Sequence, residues 1–66
     1  MNAYTTTYEF YCQGRLCKTW VSSIKDDFAE ALEEAFYVDR LARIVSREND
    51  GANVKVHMNG LYLKTV

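Results

Sequence analysis

The sequence predicts an α+β domain: an antiparallel sheet of about five strands in the order β-β-α-β-β-β, with one helix packed across one face. Three observations predict it. The dipeptides Gln13-Gly14, Asp50-Gly51 and Asn59-Gly60 each punctuate runs rich in β-branched and aromatic residues, which is how hairpins are written. Between the first hairpin and the rest, apolar residues recur at helical spacing from Phe28 to Val38. Sixty-six residues leave room for one core, so the chain is taken as a single domain over residues 1–66.

The first hairpin pairs "YTTTYEFYC" with "LCKTWVS" across Gln13-Gly14. A two-residue loop sets Phe10 against Cys17, Tyr8 against Thr19, Glu9 against Lys18 and Thr7 against Trp20. Tyr11 and Trp20 then share the outer face. A three-residue loop through Arg15 would flip the second strand and bury Trp20, because a one-residue slip moves every side chain to the other face.

The helix follows. Ser22 and Ser23 offer N-caps, and Asp26 and Asp27 suit the positive end of the helix dipole. Steps of ~100° per residue gather Phe28, Ala31, Leu32, Ala35, Phe36 and Val38 into one stripe, with Asp26, Glu30, Glu33, Glu34 and Tyr37 opposite. Continued further, that helix would bring Asp39 and Arg43 into the stripe, so it is expected to stop near Val38.

"LARIVSRE" admits two readings. Leu41, Ile44 and Val45 could stripe a second short helix, capped by Asp39 and ended by Gly51. The favoured reading is a strand entering a hairpin through Asn49-Asp50-Gly51, because Ile44 and Val45 are β-branched. Ala42, Ile44 and Ser46 would then face Met58, Val56 and Val54, while Arg43, Val45 and Arg47 point away. The last hairpin, "VKVHMNGLYLKTV", turns at Asn59-Gly60. Its two-residue loop opposes Met58 to Leu61, Val56 to Leu63 and Val54 to Thr65, leaving Lys55, His57, Tyr62 and Lys64 as an outer row.

One helix covers one face of a sheet. The exposed face is therefore expected to carry Tyr11, Tyr62 and Trp20 among Arg43, Arg47, Lys55, His57 and Lys64. Aromatics interleaved with basic groups suit base stacking and phosphate contact, and equally the hot spots of protein interfaces. The same residues also suit an ordinary solvated sheet face.

Charge narrows the choice. The net charge is −1, but it is segregated: +1 over residues 1–22, −4 over 23–40 and +2 over 41–66. The chain is neither a DNA-mimicking polyanion nor a histone-like polycation. Nucleic-acid affinity at physiological salt requires several phosphate contacts, and here few cations are offset by an acidic helix. A surface with both signs suits protein partners instead. Glu30 and Glu34 on the helix are candidates for a basic partner groove, and the basic sheet for an acidic flank. A symmetric homodimer is a further option for so dipolar a chain.

Catalysis is not expected. His57 is the only histidine and lies mid-strand without a carboxylate predicted beside it. Cys12 and Cys17 straddle a turn with no orienting third group, and two cysteines plus one histidine fall short of a zinc site. No cofactor is expected. The N-terminal residues lack a signal-peptide pattern, and no apolar run approaches the ~18 residues that span a bilayer. A cytoplasmic setting with reduced thiols follows as the expectation.

In size and layout the chain resembles small phage-encoded inhibitors of host machinery, including anti-CRISPR proteins that act on type I surveillance complexes. The resemblance rests on "YEFYCQGRLCKTW", the helix "DDFAEALEEAF" and the turns at Asp50-Gly51 and Asn59-Gly60. It implies a non-enzymatic inhibitor that binds a larger host protein or ribonucleoprotein stoichiometrically, and it assigns no individual functional residue.

Overall fold

A computed structural model describes residues 5–23 and 28–66, without the side chain of Phe28. The expectations for Tyr4, Asp26, Asp27 and the Phe28 side chain lie outside the described residues. The elements are β1 (Thr5–Cys12), β2 (Arg15–Ser23), α1 (Phe28–Glu48), β3 (Val54–Met58) and β4 (Leu61–Thr65). The strands form one antiparallel sheet in the order β2-β1-β3-β4. The α+β class holds, with four strands among the described residues rather than about five.

The missing strand is helix. "LARIVSRE" continues α1 without a break, and Ser22 and Ser23 are the last residues of β2 rather than N-caps. Val38, Leu41, Ala42 and Val45 recur at i, i+3, i+4 and i+7, and all four are buried. They pack over β1 and β3, where Tyr8, Phe10, Cys12, Val54 and Val56 complete the core. That burial overrides the weak strand preference of Ile44-Val45. The covered helix face is rotated by roughly 90° from the stripe expected over Phe28–Val38, at ~100° per residue. Ala31, Leu32, Ala35 and Phe36 are consequently exposed, along with Arg43.

The helix ends in a Schellman arrangement. The Gly51 amide donates to the Ser46 carbonyl at 2.8 Å, while Asp50 takes the left-handed conformation at φ 58°. Side chains reinforce the stop: Ser46 Oγ donates to the Ala52 carbonyl, and Asn49 Nδ2 to the Val45 carbonyl.

Both predicted two-residue turns form. Gln13 and Gly14, and likewise Asn59 and Gly60, have positive φ at both central positions, the requirement of a type I′ turn. Each hairpin then departs from the expected register through a bulge. In the first, Cys12 opposes Arg15 and Tyr11 opposes Leu16, but Phe10 opposes Lys18 and Tyr8 opposes Trp20. Cys17 is the extra residue. The pairings Phe10–Cys17, Tyr8–Thr19, Glu9–Lys18 and Thr7–Trp20 are thereby corrected. In the second, Met58 opposes Leu61 as expected, but Val56 opposes Lys64 and Lys55 opposes Thr65. Val54 exchanges backbone hydrogen bonds with Val66, replacing the expected pair with Thr65. Each bulge moves the rest of its strand to the opposite face.

Candidate binding surface on the outer sheet face

Cross-strand partners share a face, so the register identifies the side turned away from α1. It carries Thr7, Glu9 and Tyr11 from β1, Leu16, Thr19 and Val21 from β2, Lys55 and His57 from β3, and Tyr62 and Thr65 from β4. At its centre three rings meet edge to face. Tyr11 and His57 lie 5.0 Å apart and His57 and Tyr62 6.0 Å apart, both at 75° between ring planes. The Tyr62 hydroxyl is tied to Thr65 Oγ1 at 2.7 Å, which fixes its ring on this face. Leu16, Val21 and Tyr62 are 51%, 55% and 59% exposed, so this mixed face carries large apolar side chains among its polar ones.

Beside Tyr11 the face opens into a cavity of about 530 Å³. The first turn and the segment entering β3 supply its walls: Gln13, Gly14, Ala52 and Asn53, with Lys55 and His57 across from Tyr11. His57, one of the lining residues, has its Nδ1 buried with no hydrogen-bond partner among the described residues. Glu9 lies directly opposite His57 on the neighbouring strand, a carboxylate the sequence reading did not place there. The sequence pattern could not locate it, because β1 and β3 are separated by the whole of β2 and α1.

The other predicted site residues disperse. Arg43 and Arg47 are exposed on α1, on the far side of the molecule from Tyr11. Lys64, expected on the outer row, is turned to the helix face by the bulge and forms an ion pair with Asp39. Trp20 also joins the helix face, as the flipped-strand alternative had it, though the cause is the bulge and not a longer loop. It stacks on Tyr8 at 5.6 Å and meets Tyr37 edge-on at 4.7 Å. Of five expected basic side chains, only Lys55 and His57 remain on the outer face.

Of the two acidic candidates, Glu30 is exposed, whereas Glu34 points at the sheet. The Tyr8 hydroxyl donates to Glu34 Oε2 at 2.6 Å, and Ser22 Oγ donates to Oε1 at 2.5 Å. Burial, then the hydrogen bond and negative charge of Glu34, hold the Tyr8 phenol well above its ordinary range. Glu34 thus fastens the helix to β1 and β2, and is not part of an open acidic face.

Cys12 and Cys17 are free thiols, the first buried and the second exposed. Burial and the adjacent Cys17 thiol push the Cys12 thiol upward, opposite to what an activated nucleophile requires. Among the described residues no group of three or more His, Cys, Asp or Glu side chains is gathered to hold a metal ion. No helix among them is long and apolar enough to cross a membrane. No protein-family model matches the chain, and no curated protein or solved structure does either.

Proposed function

We propose that this chain is a small non-enzymatic binding protein that docks on a larger protein or ribonucleoprotein assembly and inhibits or modulates it. The outer sheet face is the contact surface. One observation carries the reading: an uncovered face that holds the Tyr11–His57–Tyr62 cluster, with exposed Leu16 beside Tyr11, exposed Val21 further along β2, and Lys55 and Glu9 as balanced charges. Aromatic groups beside a receptive cavity are what interface anchors need. In this reading the cavity walled by Tyr11, Gln13, Asn53 and Lys55 receives a side chain of the partner.

The loss of Arg43, Arg47 and Lys64 from this face argues against the competing use, binding of RNA or single-stranded DNA. Stacking rings without several phosphate contacts give little affinity at physiological salt. Inhibition of host machinery of the anti-CRISPR kind rests on size and layout, now β-β-α-β-β, and is the narrowest part of the proposal.

Affinity capture from a host lysate, with and without nuclease, tests it. Wild type is compared with Leu16→Asp and Tyr62→Asp, both exposed and outside the core. One protein partner should persist after nuclease, and each substitution should weaken binding to the purified partner by roughly 30-fold, the scale of a hot-spot loss. Capture that vanishes with nuclease, or binding to labelled single strands that falls on Lys55→Ala, would promote the nucleic-acid reading. Capture indifferent to both aspartates would remove the outer face from the proposal.

A further inference from the structure

A second surface is left largely uncovered among the described residues, with only the Tyr37 ring at its edge in contact with Trp20. With the sheet on one side of α1, the far side presents Glu33, Phe36 and Arg40, and Tyr37 sits on the flank beside Trp20; the four line a shallow surface hollow of about 400 Å³. Phe36 is 65% exposed and Tyr37 42%. A phenylalanine so placed gains little burial from its own fold. Glu33 and Arg40 stand seven residues apart, about 10 Å along the helix, too far to pair with each other. Among the described residues the one ion pair is Lys64–Asp39, so both charges are open to an outside partner.

The order of these residues decides what that partner is. Along the helix it reads carboxylate, aromatic, aromatic, guanidinium. Turned end for end, the pattern is its own complement. A twofold axis crossing α1 midway between Phe36 and Tyr37 carries position 33 onto position 40. We propose that this face is an isologous interface between two copies of the chain, with their α1 helices antiparallel.

At the axis Phe36 meets its symmetry mate on one flank and Tyr37 meets its own on the other. Glu33 of each copy pairs with Arg40 of its partner, giving two equivalent ion pairs that bracket the aromatic centre. A foreign protein would need to reproduce that pattern, whereas a second copy supplies it by symmetry. The outer sheet face lies on the other side of the molecule, so each protomer keeps its docking surface free and the pair presents two.

Sedimentation velocity from about 1 μM to about 1 mM, the span of weak to moderate association, tests this. Wild type should pass from monomer to dimer within that range. Glu33→Arg sets two guanidinium groups against each other, and Arg40→Glu two carboxylates. Each should raise Kd by about tenfold or more. The double variant Glu33→Arg/Arg40→Glu rebuilds both pairs and should return Kd to within about threefold of wild type. Phe36→Asp should be monomeric, with far-UV circular dichroism unchanged because the position is exposed.

A wild type that stays monomeric to the top of the range would overturn the proposal, as would a double variant no better than its singles. Persistence of the dimer in Phe36→Asp would place the interface elsewhere. Leu16→Asp and Tyr62→Asp should leave self-association intact, so failure here is separable from failure of the docking surface.

Discussion

Tyr8 and Glu34 show how one polar contact can serve as a structural bolt. The ring of Tyr8 belongs to the core and stacks on Trp20, while its hydroxyl reaches Glu34 on α1. Replacing it by Phe keeps the ring and leaves a partly buried carboxylate with Ser22 as its remaining side-chain donor among the described residues. Tyr8→Phe should cost about 1–2 kcal/mol in urea denaturation at neutral pH. The pH dependence has a definite sign. A phenol raised in the folded state contributes stability in full below its unfolded value of about 10, and loses it as pH climbs through and beyond that value. Wild type should therefore lose stability between pH 9 and pH 11 more steeply than Tyr8→Phe; parallel curves would contradict the assignment. Glu34 also changes what a surface-charge experiment can mean. Reversing it would loosen the helix from the sheet, so Glu33 and Arg40 are the helix charges suited to interface tests.

At the scale of elements, the turns were legible and the bulges were not. Gln13-Gly14 and Asn59-Gly60 announce their loops because both central residues must accept positive φ, a demand few residue pairs meet. A bulge at Cys17 or near Leu63 needs no special side chain, so its cost in register is invisible until strands are paired. Asn59 carries a further role no turn rule reveals. Its Oδ1 accepts from the Thr7 amide at 2.9 Å and its amide donates to the Thr7 carbonyl at 2.8 Å, extending the β1–β3 seam. The helix misreading has a similar origin. The stripe through Leu32 and Phe36 is real periodicity, but the face the sheet covers is the one through Glu34, Val38, Leu41 and Val45. Two stripes on one helix are resolved only by knowing what packs where. The end of α1 offers a gain in stability: Asp50 holds a left-handed conformation beside the negative helix terminus, against both sterics and charge. Asp50→Gly should stabilise the protein by about 0.5–1 kcal/mol, read as a higher melting temperature; a lower one would mean that the carboxylate has a compensating partner.

On the scale of the whole molecule, the α+β class, one helix covering the sheet among the described residues, and the placement of Tyr11, His57, Tyr62 and Lys55 on the face away from it were all accessible to sequence reasoning. Alternation along a strand says which residues share a face, and a lone helix leaves one face bare. What could not be read was the set of neighbours across β1 and β3, which put Glu9 beside His57 and Gln13 beside Asn53 at the cavity. That central seam also governs the order of events as the chain acquires its shape. Each hairpin closes over two residues and can form early from local contacts. The pairs Tyr8–Met58, Phe10–Val56 and Cys12–Val54 instead join distant parts of the chain, and the entropy of closing that long loop falls due before their contacts exist. Docking of the two hairpins, with α1 laid across them, is then the slow step. In stopped-flow experiments Phe10→Leu and Val56→Ala should slow refolding in proportion to the stability they remove, whereas an unchanged refolding rate with faster unfolding would show that the seam closes only after the barrier is crossed.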